Sequence, residues 1–130
     1  MPDPSAILTI DLDAIAANWR DLSTRHASGP VAAVVKADAY GLGAQEVTRR
    51  LLAEGARHVF VAEFEEALAL RDTVPRAVPL AVLHGLIAGA EAEAADAGIV
   101  PVLNDLGALQ RWSAHAAARG ARLPAILQID

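Results

Sequence analysis

The chain of 130 residues has no cysteine, one methionine, one tyrosine and two phenylalanines, and its only lysine is Lys36, against ten arginines. Without cysteine there is no disulfide framework, no thiol nucleophile and no cysteine-ligated zinc or iron–sulfur site. Long apolar runs are missing as well. Charges or glycines interrupt each one before the ~20 residues that a membrane span needs. A net charge of −5 without a clustered Lys/Arg patch argues against a nucleic-acid binder. The opening Met1-Pro2-Asp3-Pro4-Ser5 lacks the basic-then-apolar plan of a secretion signal. The expected setting is the cytoplasm.

What is abundant is alanine, at 30 positions. Alanine and arginine together point to a strong codon bias, which makes a retained lysine informative. Arginine replaces lysine as a surface charge, but not where an amine must lose its proton and attack a carbonyl. At this length a compact monomer buries roughly two-thirds of its unfolded surface, so one domain with a core is possible.

Short apolar runs alternate with helical patterns. The runs are Ile7–Ile10, Val31–Val35, His58–Ala62, Pro79–Leu83, Val100–Leu103 and Ala125–Ile129. Asp11 or Asp13 can cap a helix through Arg25, with Ile15, Trp19 and Leu22 on one face. Ala44–Ala53 stops at Gly55, Glu63–Arg71 carries acids first and arginine last, and Ala88–Ala97 stops at Gly98. Asn104 or Asp105 caps Leu106–Arg119, which closes at Gly120. From Val31 onward the strands begin 27, 21, 21 and 25 residues apart. This is the spacing of βα units and predicts an α/β fold with a parallel sheet. Two architectures fit it. One is a complete doubly wound domain of flavodoxin type; the other is the first part of a (β/α)8 barrel, which typically needs ~250 residues. The end at Leu127-Gln128-Ile129-Asp130, directly after an apolar run, reads as a cut.

The densest chemical feature is Val31-Ala32-Ala33-Val34-Val35-Lys36-Ala37-Asp38-Ala39-Tyr40-Gly41-Leu42-Gly43. A buried-type strand delivers the lone lysine to its carboxyl end, where ligand crevices lie in barrels and open sheets alike. Apolar surroundings there disfavour an ammonium and so favour Schiff-base chemistry. Tyr40 offers a hydroxyl, and the glycines allow close backbone approach, both suited to a phosphate. The competing reading is an exposed strand-end lysine before an ordinary turn. Asp11 and Asp13 form an Asp-x-Asp pair that could serve magnesium-dependent phosphotransfer. The glycine–threonine continuation of that motif is absent, which favours helix capping. His26, His58 and His115 sit in structural patterns, and only His84 ends a strand; no histidine spacing suggests a metal site. Glu63, Glu65 and Glu66 read as a solvated first helical turn, and Trp19 and Trp112 as core.

The segment Val34-Val35-Lys36-Ala37-Asp38-Ala39-Tyr40-Gly41-Leu42-Gly43 resembles the pyridoxal-phosphate attachment motif of alanine racemases, differing at Leu42, where many relatives carry histidine. Ile10-Asp11-Leu12-Asp13-Ala14-Ile15 with Asn18, Phe60-Val61-Ala62 with Glu66–Arg71, and Val102-Leu103-Asn104-Asp105-Leu106 resemble further parts of the same family. The resemblance spans essentially the whole chain. It implies a partial (β/α)8 TIM barrel of the alanine-racemase amino-terminal type, with residues 1–130 an incomplete cofactor-binding domain and the carboxy-terminal β-domain absent. It implies pyridoxal 5'-phosphate as cofactor, alanine as the small-molecule substrate, and a homodimeric intact enzyme that makes D-alanine for cell-wall synthesis. A racemase of another amino acid remains the near alternative. Lys36 is then the cofactor-attachment lysine and the base on one face of the substrate Cα, and Tyr40 contacts the phosphate. Strand alternation puts Val34 on the side of Lys36, against the cofactor ring, and Leu83 is a further wall residue. The second base and the pyridine-nitrogen partner belong to family segments beyond this chain, which predicts that these 130 residues alone are inactive.

Overall fold

The computed structural model describes residues 6–26 and 28–129. The opening segment read for a secretion signal, 1–5, and the terminal Asp130 lie outside them. Five strands, β1 (Ala33–Val34), β2 (Val59–Val61), β3 (Leu80–Val82), β4 (Ile99–Leu103) and β5 (Ile126–Leu127), form one sheet in the order β1-β2-β3-β4-β5. Every neighbouring pair is parallel. This order decides between the two architectures. A doubly wound sheet reverses direction at a switch point, whereas here each strand is added on the same side of the last. The result is a sector of a (β/α)8 barrel.

The helices are α1 (Leu12–Arg25), α2 (Lys36–Gly41), α3 (Ala44–Glu54), α4 (Phe64–Leu70), α5 (Glu91–Ala97) and α6 (Leu106–Arg119). Their boundaries follow local chemistry. Asp11 caps α1 by accepting the Ala14 N–H at 2.9 Å, and Asp105 caps α6 by accepting that of Ala108 at 2.7 Å. Gly98 and Gly120 end α5 and α6 in the left-handed conformation that costs glycine little. Helix α5 begins at Glu91 rather than Ala88. Residues 88–90 instead form a turn whose Gly89 N–H is accepted by the Glu91 carboxylate at 2.8 Å.

The expected strand at Ile7–Ile10 does not form. These residues have no strand assignment, and Ile7 and Leu8 are about four-fifths exposed. An apolar run becomes a strand only when a neighbour completes its hydrogen-bond ladder, and no described strand pairs with this one.

Strand alternation gives the sheet two faces. Val35, Val59, Val61, Leu80, Val82 and Ile99 are buried on the helix side with Val47, Leu51, Leu70, Ala94 and Trp112. Helix α1 packs on α3, tied at the surface by Arg50 to Asp13 and by Arg20 to Glu54. Arg111 of α6 reaches Glu91 of α5 at 2.9 Å. Arg71, at the end of α4, is buried with no carboxylate partner among the described residues and donates to the carbonyls of Val74, Pro75 and Gly98. Burial holds its guanidinium below the ordinary arginine value, with nearby Arg76 adding to the effect.

Candidate functional site

The candidate residues gather around β1 and the carboxyl edge of the sheet. The register aligns Val34 with Phe60, Phe60 with Ala81 and Ala81 with Val100. Beyond the paired residues, Val35 N–H still donates to Phe60 O and Leu83 N–H to Val61 O, both at 2.9 Å, and Lys36 follows Val35 directly. Lys36 and Leu83 both stand at the carboxyl edge of the sheet, past the ends of β1 and β3. Lys36 and Leu83 are half-buried, while Val34 and Tyr40 are exposed. Val34 ends β1 and Leu83 follows β3, while Lys36 opens α2 and Tyr40 follows it by a single turn.

That turn is α2, and it is not an ordinary loop. Ala37, Asp38, Ala39 and Tyr40 all have positive φ, between 51° and 58°, with ψ between 34° and 51°. They form a turn of left-handed helix without a glycine among them. Each such residue costs roughly 1–2 kcal/mol, so the four together store on the order of 4–8 kcal/mol. Hydrogen bonds hold the conformation. Ala39 N–H donates to Val35 O at 2.9 Å, Gly43 N–H to Asp38 O at 2.9 Å and Leu42 N–H to Ala39 O at 3.2 Å. The Asp38 carboxylate accepts the Ala44 N–H at 2.7 Å, joining the turn to the start of α3. Gly41 and Gly43 also have positive φ and open space where a Cβ would stand.

Glu66 was expected to be a solvated residue of the α4 first turn, and the structure corrects this. It is half-buried, and its Oε1 accepts the Ala37 N–H at 2.6 Å. Its Oε2 accepts from Ala62 at 2.8 Å and Glu63 at 2.9 Å. Burial alone would raise this carboxyl. The three backbone donors, with the nearby His84, outweigh it and hold Glu66 below the ordinary glutamate value. The sequence did contain one signal for it: Glu63 and Glu66 occupy the cap and third positions of a capping box. Glu63 is exposed as expected, and it contacts His84 Nδ1 at 2.6 Å at the mouth of the sheet.

A cavity of about 220 Å³ lies on the helix side of β1, lined by Val35, Asp38, Ala44, Glu66 and Leu70 among others. Lys36 is not among the residues that line it. Asp11 and Asp13 do not make a phosphotransfer centre. Asp11 caps α1, and Asp13 pairs with Arg50 at 2.9 Å. No group of three His, Cys, Asp or Glu residues among the described residues could hold a metal ion. No described helix is long and apolar enough to cross a membrane.

Comparison with known proteins matches residues 10–130 to a family model described as alanine racemase, N-terminal domain. The catabolic alanine racemase of Rhizobium johnstonii is 50% identical over 123 residues, 95% of this chain and 33% of that protein. Among solved structures, alanine racemase from Bartonella henselae with covalently bound pyridoxal phosphate superposes with a TM-score of 0.90 at 41% identity. That match covers 93% of this chain and 35% of the other. Alanine racemase from Streptomyces coelicolor A3(2) gives a TM-score of 0.85 at 35% identity, covering 93% and 32%. The chain spans about a third of the length of these relatives.

Proposed function

The chain belongs to the family of alanine racemase amino-terminal domains, and from that premise we propose that it supplies the cofactor lysine and one catalytic base of a pyridoxal-phosphate-dependent alanine racemase. One observation carries the proposal. The only lysine of these 130 residues stands at the carboxyl edge of the first barrel strand, and a strained left-handed turn follows it.

The residues fit such a cofactor chemically. Lys36 brings a primary amine for an aldehyde, and its attachment expels one water. Tyr40 brings a hydroxyl for the phosphate, beside two glycines that leave open space. Val34 and Leu83 bring apolar surface for an aromatic ring. When bound, the cofactor supplies an electron sink that stabilises negative charge at the substrate Cα. Lys36 Nζ removes or returns the Cα proton on one face. Racemisation needs a base on each face, and we assign the second to sequence beyond these 130 residues. Residues 1–130 by themselves are therefore inactive in this account. The working enzyme is a cytoplasmic homodimer acting on alanine.

The physiological direction has two readings. Supply of D-alanine for cell-wall synthesis follows from the family resemblance. The 50% identical Rhizobium johnstonii relative is named catabolic, which favours consumption of alanine instead. Growth of a deletion strain separates them: a D-alanine requirement supports the first, and loss of growth on alanine without that requirement supports the second.

The activity is tested with the whole encoded polypeptide, pyridoxal phosphate and L-alanine in deuterated water. D-Alanine carrying deuterium at Cα is the expected product. Lys36→Arg, which keeps the charge but not a usable base, lowers turnover by about a thousandfold or more. Unchanged turnover in Lys36→Arg, or a clear preference for another amino acid, refutes the assignment.

A further inference from the structure

We infer that Glu66 is a positioning residue for Lys36: its carboxylate clamps the peptide that joins Lys36 to Ala37, and so sets where the lysine amine stands. The inference rests on the cofactor role proposed for Lys36. It also goes beyond that role, because Glu66 lies 30 residues after Lys36 and belongs to another βα unit.

The two carboxylate oxygens have separate tasks. Oε2 accepts from Ala62 and Glu63, the ordinary work of a capping box at the start of α4. That leaves Oε1 free, and it is spent on the Ala37 N–H at 2.6 Å. Capping of α4 does not require this bond. Ala37 is the first of the four left-handed residues, with φ 51°. Its N–H belongs to the peptide plane whose carbonyl comes from Lys36. Fixing that plane fixes both the direction in which the Lys36 side chain leaves the strand and the entry into the strained turn.

The other bonds of the turn do not replace this one. Ala39, Leu42 and Gly43 donate to carbonyls at residues 35–39, and Asp38 accepts from Ala44. All of these close the turn on itself or onto α3. Among the described residues, only Glu66 ties the turn to α4 and to the end of β2 by side-chain hydrogen bonds. A glutamine cannot substitute. Its amide nitrogen is a donor, so it opposes one of the two sets of N–H groups that the carboxylate accepts. An aspartate keeps the charge but is one methylene shorter, and cannot span both sets.

The test compares the whole encoded polypeptide with its Glu66→Gln and Glu66→Asp variants, and with Glu65→Gln as control. Glu65 is exposed on the neighbouring position of α4. Two quantities are read: amide hydrogen exchange at Ala37, Ala62 and Glu63 without cofactor, and retention of pyridoxal phosphate. In Glu66→Gln, loss of a charge-assisted bond speeds exchange at Ala37 and weakens cofactor retention, each by about tenfold or more. Glu66→Asp keeps protection at Ala62 and Glu63 but loses it at Ala37, with the same loss of cofactor. Glu65→Gln changes neither. If Glu66→Gln does not fold, Glu66→Asp alone decides. Wild-type exchange at Ala37 and wild-type cofactor retention in the variants that fold overturn the inference. A wild-type protein that never attaches cofactor at Lys36 overturns instead the reading on which it rests, and exchange at Ala37 then still reports whether the clamp exists.

Discussion

Replacing Ala37 by glycine is expected to stabilise the protein, the opposite of what glycine does within a right-handed helix. At φ 51° and ψ 51°, an alanine in the left-handed region carries roughly 1–2 kcal/mol of strain that glycine does not. Against this, glycine makes the unfolded chain more flexible, costing about 0.4–1 kcal/mol. The Ala37 side chain is exposed, so removing its methyl loses little packing. The difference is a gain of about 0.5–1 kcal/mol. Ala39 provides an internal contrast. It has nearly the same backbone angles, but it is buried at 3% exposure, and deleting a buried methyl costs about 0.8 kcal/mol. Ala39→Gly is therefore close to neutral. Valine at position 37 is worse than alanine, because a β-branched side chain tolerates positive φ least. Denaturant unfolding of the whole encoded polypeptide gives all three values. A loss of stability in Ala37→Gly comparable to that of a glycine in an ordinary helix would refute the left-handed turn, and with it the strain assigned to the lysine segment.

Other perturbations separate further parts of the account. Asp11→Ala and Asp105→Ala each remove an N-cap and cost about 1 kcal/mol in unfolding experiments; a magnesium-binding isotherm lost in Asp11→Ala would revive the phosphotransfer reading. Arg71→Met strands the buried carbonyl of Val74 and removes the bond to the carbonyl of Gly98, lowering stability by about 2–3 kcal/mol; an unchanged unfolding midpoint would contradict that role. Gly85→Ala places a Cβ 2.7 Å from the Val102 carbonyl oxygen at φ +76°, so a thermal melt should show a loss of about 2 kcal/mol or more. Burial alone would raise the Glu91 carboxyl, but backbone donors and Arg111 outweigh it and hold the group below its ordinary value. Its stabilising contribution is thus complete above the ordinary glutamate value and lost as pH falls through the lower value of the folded chain. The stability gap between wild type and Glu91→Gln should close in that acid range, and a gap that persists there would show that charge is not its origin.

Much of the fold was legible because local chemistry marks its boundaries. The apolar runs from Val31 onward became strands within one or two residues, and Asp105 and Gly120 bracketed α6 as their residue types predict. Ile7–Ile10 failed for a physical reason. Periodicity reports which residues can form a strand, while a partner decides whether they do. Lys36 was conspicuous because arginine holds every other basic position. The left-handed turn after it was not, since Ala-Asp-Ala-Tyr carries none of the glycine that usually marks positive φ. Glu66 was concealed similarly. A cap at the start of a helix is a local pattern, but a bond from the same carboxylate to an N–H 29 residues earlier exists only once β1 and β2 have paired.

Covalent attachment of pyridoxal phosphate at Lys36 is decided by a single experiment. The whole encoded polypeptide is loaded with the cofactor, reduced with borohydride, digested and mapped by mass spectrometry. A reduced cofactor adduct is expected on Lys36, in the peptide that contains Ala37–Tyr40, and none at that position in Lys36→Arg. An adduct only at an amine other than Lys36, or no stable adduct in protein that is folded and loaded, would contradict it.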